Sequence, residues 1–235
     1  MWVSDYNGSC CLQAAFLTGG IGTLEKMENL AFWTRPRAGR RMAALLASVV
    51  VMGFGVAVFK LVGFGTDPCS TFNLGLANCT GLSFGTWQLL MNLVLCIPVL
   101  CCDLSRIGVG TLANMLVVGY SADWFLSLLS PHLSPESPLG LRLVLFAVSM
   151  AVFLLAAAFY IASDLGVAPY DAVPQMIARR VRRLSARVVR ILWDIAFLTA
   201  GFLMGATVGL TTVLTGFCLG PAIAAVGKRT RAWFQ

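Results

Sequence analysis

In a chain that is 58% hydrophobic and only 11% charged, the residues able to do chemistry stand out because they are embedded in apolar runs. Asn92 lies in the middle of one run, and Asp194 lies about two helical turns into another. Side chains of either type are costly in hydrocarbon and normally face protein or a water-filled cavity, so the two form a candidate solute-handling or ion-handling pair. Asp194 has a second reading, as a structural carboxylate bonded to threonine hydroxyls or paired with Arg190 one turn earlier. Thr111, Asn114, Thr212 and Thr215 recur at one-turn spacing on two further runs, while Asp67 and Asp171 stand at breaks between runs. Such groups either hold helices together, with help from small residues such as Gly108, Gly119, Gly209 and Gly220, or converge on a substrate. The candidate substrate-binding set is Asn92, Asp194, Asn114, Thr111, Thr212, Thr215, Asp67 and Asp171.

Covalent and metal chemistry have little to work with. The chain has one histidine, no Ser-His-Asp set and no Walker-type phosphate loop. Its eight cysteines lack zinc-site spacing, and most fall in or beside apolar runs where a thiol is a small hydrophobe. The expectation is no enzyme activity, no cofactor and no metal. His132 falls in a Pro-rich turn at 129–140 and reads as solvated, and a disulfide between Cys69 and Cys79 is one open possibility.

The elements that must position these groups are membrane spans. Mean hydropathy is +0.83 and six apolar runs are long enough to cross a bilayer: Met42–Gly63, Phe84–Cys102, Ile107–Leu129, Leu141–Ser163, Val188–Ala206 and Val208–Val226. They predict one membrane domain over 39–231. Residues 1–38 read as a cytoplasmic extension, poorly ordered or interfacial. Its apolar part is too short to span, no signal-peptide cleavage site follows it, and Met27 is an alternative start. The net charge of +7 comes from blocks between runs, so orientation explains it better than nucleic acid does. With six spans, the arginine-rich segments share one face and Arg142 is the clear loop cation of the other, which predicts both termini in the cytoplasm. Lys60 reads as a snorkelling residue near the far end of the first span.

A faint self-likeness at an offset of 101 organises the whole. It carries Arg41 to Arg142, Ser48 to Ser149, Gly65 to Gly166, Pro68 to Pro169, Thr111 to Thr212 and Asn114 to Thr215, and with a one-residue slip Asn92 to Asp194. Three spans in each half force the second half to enter from the opposite side. The predicted fold class is therefore all-α, six transmembrane helices in a 3+3 inverted repeat, with repeat 1 at about 41–128 and repeat 2 at about 142–226. In both halves a glycine three residues before a proline, Gly65-Pro68 and Gly166-Pro169, ends one helix and opens another. Such a break is either a capped turn into a surface helix or a broken, re-entrant helix whose free backbone lines a site. The basic stretch Arg179, Arg180, Arg182 and Arg183 suits the surface reading, against anionic lipid headgroups. The halves also differ, since Asp67 maps to Ala168 and Ser70 to Asp171.

The runs Gly65-Thr-Asp-Pro68, Phe84 through Asn92, Ile107-Gly-Val-Gly-Thr111 through Gly119, Asp164 through Asp171, and Gly209 through Gly220 resemble the YczE/YyaS/YitT group of bacterial membrane proteins over about 42–228. The resemblance implies a multi-span protein of the bacterial inner membrane and supplies no substrate, reaction or binding residue. Two functions are expected to compete: a small secondary transporter or permease of an unknown small solute, and a non-transporting scaffold or regulatory accessory protein whose basic segment binds lipid or a partner.

Overall fold

A computed structural model describes residues 37–181 and 184–215, and among them the ordered elements are all helical. In chain order they are α1 (Ala38–Val62), α2 (Pro68–Thr80), α3 (Phe84–Cys102), α4 (Val109–Leu129), α5 (Leu139–Ser163), α6 (Pro169–Arg180) and α7 (Ala186–Leu203), followed by helix at 210–215. α1, α3, α4 and α5 are each long and apolar enough to cross a membrane. α7 is long enough but carries Arg187, Arg190 and Asp194. It ends at Leu203, three residues short of the expected Ala206, because Gly205 takes a left-handed φ of 81°. The N-terminal extension, Met27, Arg182, Arg183 and the sixth expected span beyond residue 215 lie outside the described residues.

The molecule's polarity is turned inside out relative to a water-soluble protein. Val94, Ile97, Trp124, Val144 and Leu203 are exposed, whereas Asn73, Asn92, Thr66, Thr71 and Thr211 are buried. An apolar exterior around a polar centre is what a bilayer solvent selects.

α1 and α5 form the central pair, packed through Gly55 against Phe153 and through Phe59, whose ring lies 5.5 Å from that of Phe153. They run antiparallel, because each helix start reaches the other helix end. Arg41 Nη1 donates to the Ser163 carbonyl (2.9 Å), and Arg142 Nε donates to the Val62 carbonyl (2.8 Å). The last carbonyls of a helix have no partner in their own helix, so a guanidinium placed there satisfies a bond and opposes the negative end of the dipole. Arg142 also lies over the Phe64 ring, 4.7 Å from its centroid.

The breaks after α1 and α5 are held in the same exchanged way. Thr211 N donates to the Phe64 carbonyl (3.0 Å) and Gly110 N to the Leu165 carbonyl (2.8 Å). Thr212 Oγ1 donates to the Thr66 carbonyl (2.8 Å) and Thr111 Oγ1 to the Val167 carbonyl (2.9 Å). Each donor and each acceptor maps to its counterpart at the offset of 101. The glycines are required for this approach. A Cβ on Gly65 would lie 2.5 Å from Gly209 N and one on Gly166 2.7 Å from Thr111 Oγ1, and both residues have positive φ.

α2 lies chiefly along α7 of the other half, while α6 packs on α3 of the other half and on α7 alike. The register on α7 is parallel: Phe72 meets Phe197, Gly75 abuts Gly201, and Asn78 Nδ2 donates to the Gly205 carbonyl. Running that register backwards sets Pro68, the first residue of α2, level with the middle of α7. Cys69 and Cys79 are free thiols on this one helix, about 15 Å apart along its axis. The disulfide between them is ruled out by that rise.

The close approach makes a direct prediction. G65A combines strained φ with a backbone clash and is expected to lower unfolding stability by at least about 2 kcal/mol. G140A, on α5 with open space around it, is expected to be neutral or stabilising. Thermal unfolding of both variants in detergent checks this, and equal effects would contradict the exchanged anchoring.

Candidate functional site

A cavity of about 100 Å³ opens where the two halves meet. Its apolar walls come from the middle of the central pair, Met52 and Val56 on α1 and Phe153 on α5. Its ends are the first turns of α2 (Asp67, Pro68, Cys69, Ser70) and α6 (Ala168, Tyr170, Asp171), so two helix N-termini point toward one space. The rest is polar side chain from α3, α4, α7 and the 210–215 helix: Gln88 and Asn92, Asn114, Arg190 and Asp194, and Thr215. α4 reaches the cavity through a π-helical segment, Asn114–Val118, whose first and last residues both line it. An inserted π turn re-aims side chains that a regular α-helix would direct elsewhere.

One wall is charged and internally bonded. Arg190 Nη1 donates to Asp171 Oδ1 (2.5 Å), and its Nε donates to Asp194 Oδ2 (3.0 Å). The Tyr170 hydroxyl donates to the other Asp194 oxygen (2.6 Å), and the Arg190 guanidinium lies 5.1 Å from the Tyr170 ring centroid. Tyr170 is held in turn by Phe197, edge-on at 5.1 Å. A guanidinium fork between two carboxylates is the arrangement for which arginine is suited, and lysine would not reproduce it.

The facing wall is amide-rich. Asn73 Nδ2 donates to Gln88 Oε1, which also receives the Cys69 thiol at 4.0 Å. Asn92 Nδ2 donates to the Gln88 backbone carbonyl (2.8 Å), whereas its own Oδ1 is buried without a partner. Asp67 caps α2 by accepting from Ser70 N (3.1 Å).

The two walls correspond position by position. At an offset of 101 Ser70 stands for Asp171, Cys69 for Tyr170 and Asn114 for Thr215. At 102 Gln88 stands for Arg190 and Asn92 for Asp194. Equivalent positions thus carry amides on one side and an ion network on the other.

The sequence itself matches a family model over residues 39–228. The chain belongs to the DUF6198 family, a family of unknown function. Relatives include an uncharacterised protein of Haemophilus influenzae, 28% identical over 78% of this chain and 82% of its own length. They also include two Bacillus subtilis proteins: the uncharacterised membrane protein YczE (23% identical over 77% of this chain and 82% of its own length) and the uncharacterised protein YyaS (25%, over 73% and 84%). No solved structure matches. Together with its apolar helices, this places the DUF6198 chain among membrane proteins of the YczE/YyaS kind.

Six of the eight residues singled out in the sequence, Asn92, Asp194, Asn114, Thr215, Asp67 and Asp171, line the cavity. Thr111 and Thr212 do not, because their hydroxyls are spent on the carbonyls of the breaks. Asp194 pairs with Arg190, as its structural reading expected, and still faces the cavity. Gly65, Pro68, Gly166 and Pro169 sit at the two breaks. Arg179 is exposed and reaches Asp103 at 3.4 Å, and Arg180 is exposed at the end of α6. Sequence reasoning missed Gln88, Tyr170 and Cys69 as cavity residues and treated Arg190 only as a partner. The repeat held the signal for Gln88, since it maps to Arg190 two positions that the offset already aligned.

Removing Arg190 leaves two carboxylates without their cation. R190M is expected to cost about 3 kcal/mol of unfolding stability in detergent. Adding D171N and D194N to it should recover a large part of that loss, because the three side chains act as one unit. Simple additivity of the three changes would contradict the network.

Proposed function

We propose that this chain is a small secondary transporter of the bacterial inner membrane, built as a 3+3 inverted repeat with both termini in the cytoplasm. The observation that carries the reading is the polar cavity at the level of the middle of α1 and α5, reached by the first turns of α2 and α6. In this reading α2 and α6 are re-entrant half-helices that enter from opposite faces, and their N-termini meet at the substrate site near the bilayer midplane. The antiparallel α1/α5 pair and the exchanged bonds at Phe64, Thr66, Leu165 and Val167 support it, since they are the contacts an inverted pair of halves would make. Transport requires one half to rock against the other while these anchors persist, so that the cavity opens to each side in turn. The chemistry is binding and release, with no bond made or broken.

Cys69 is a natural probe of this, because its thiol stands in the cavity. In a variant retaining Cys69 and lacking the seven other cysteines, membrane-impermeant thiol reagents should label it in right-side-out and in inverted vesicles. Labelling from neither side would reject the transporter in favour of a closed scaffold. Labelling from one side alone would favour a receptor-like pocket.

A further inference from the structure

We infer that the cavity binds a small cation bearing N–H donors, of the ammonium or primary amine class. The inference rests on the transporter reading for its direction of access, and on the cavity alone for its chemistry.

Charge comes first. Among the described residues the lining carries Asp67, Asp171 and Asp194 against one lysine or arginine, Arg190. Arg190 is shared between Asp171 and Asp194, and Asp67 is bonded by Ser70 alone among its hydrogen-bond partners, through amide and side chain. With its carboxylates ionised the described lining is two charges negative, an excess that either protonation or a counter-charge from solution relieves. Among the described residues no other lysine or arginine lines the cavity, so a cation arriving from solution is a fitting partner.

The hydrogen-bond inventory points the same way. Asn92 is 1% exposed, lines the cavity and has its amide oxygen without a donor. Its Nδ2 is already committed to the Gln88 carbonyl, so turning the amide over would trade one loss for another. A buried amide oxygen left unsatisfied costs free energy, which a donor ligand returns once the Asn92 side chain turns to present it to the cavity. Asp67 lines the same space, and each of its oxygens has more than one lone pair to offer.

Size and geometry narrow the class. A space of about 100 Å³ is ample for ammonium, methylammonium or guanidinium. Among the described residues no three His, Cys, Asp or Glu side chains converge as metal ligands do. Carboxylate and amide acceptors spread around a space suit several N–H vectors better than one compact ion. The apolar faces of Met52, Val56 and Phe153 would meet a methyl group.

The test uses the purified full-length protein in detergent. Thermal unfolding is followed against ammonium and methylammonium chloride, with tetramethylammonium chloride at equal ionic strength and fixed pH as the comparison. Saturable stabilisation by the first two is expected, with none from tetramethylammonium, which has no N–H donor. D67N, which keeps a good N-cap, and N92L should each weaken half-saturation about tenfold or more, and exposed Arg180→Gln should leave it unchanged. Should D67N not fold, N92L carries the same comparison. Equal response to tetramethylammonium, an unchanged D67N or N92L, or stabilisation that follows pH and not ammonium would overturn the inference, the last in favour of a proton site. Two-sided labelling of Cys69 would survive any of these results, so failure of the cation site and failure of the transporter reading are separable.

Discussion

The structure depends on how two chain reversals are satisfied in an apolar surrounding. After α1 and again after α5 the backbone leaves helix for about five residues, and every carbonyl exposed there would be a severe cost in hydrocarbon. Each reversal is repaired from the other half of the chain. Arg142 and Thr212 serve the first, Arg41 and Thr111 the second, and backbone amides at 211 and 110 complete both. Neither half can fold its own break without the other, so the association of halves and the shape of the breaks are one problem. The cavity follows from that solution, because the reversals carry the first turns of α2 and α6 inward until they face each other.

Around this cavity the chain has placed different chemistry on the two walls. Where one wall carries Gln88, Asn92 and Ser70, the other carries Arg190, Asp194 and Asp171. The ion network is rigid, with the arginine held by two carboxylates and its aromatic neighbour by Phe197. The amide wall is less complete, with an unpartnered oxygen on Asn92.

Much of this was legible in the sequence because apolar periodicity and Gly-Pro punctuation are local signals. The starts of α2 and α6 fall at Pro68 and Pro169 as the breaks foretold, whereas α1 and α5 close two residues before the expected Gly65 and Gly166, capped by Gly63 and Asp164. The roles of Thr111 and Thr212 were not legible, since a hydroxyl in a span looks the same whether it meets a ligand or a carbonyl 56 or 146 residues away. Asp194 and Arg190 were recognisable as an i, i+4 pair, but the third member, Asp171, joins from another helix and depends on tertiary packing. The disulfide read from two cysteines in one loop fails because that loop is a helix, which holds them apart. The π segment at Asn114–Val118 has no sequence signature of its own.

The central claim is that two part-length helices from opposite halves meet at one polar cavity. A cryo-electron microscopy map of the full-length protein in lipid nanodiscs tests it most directly. Pro68 and Pro169 should flank a single space at mid-bilayer depth, with ordered density against Asn92 Oδ1 and the Arg190 guanidinium between Asp171 and Asp194. A dry, fully packed centre, or α2 and α6 lying flat at the membrane surface, would contradict the account.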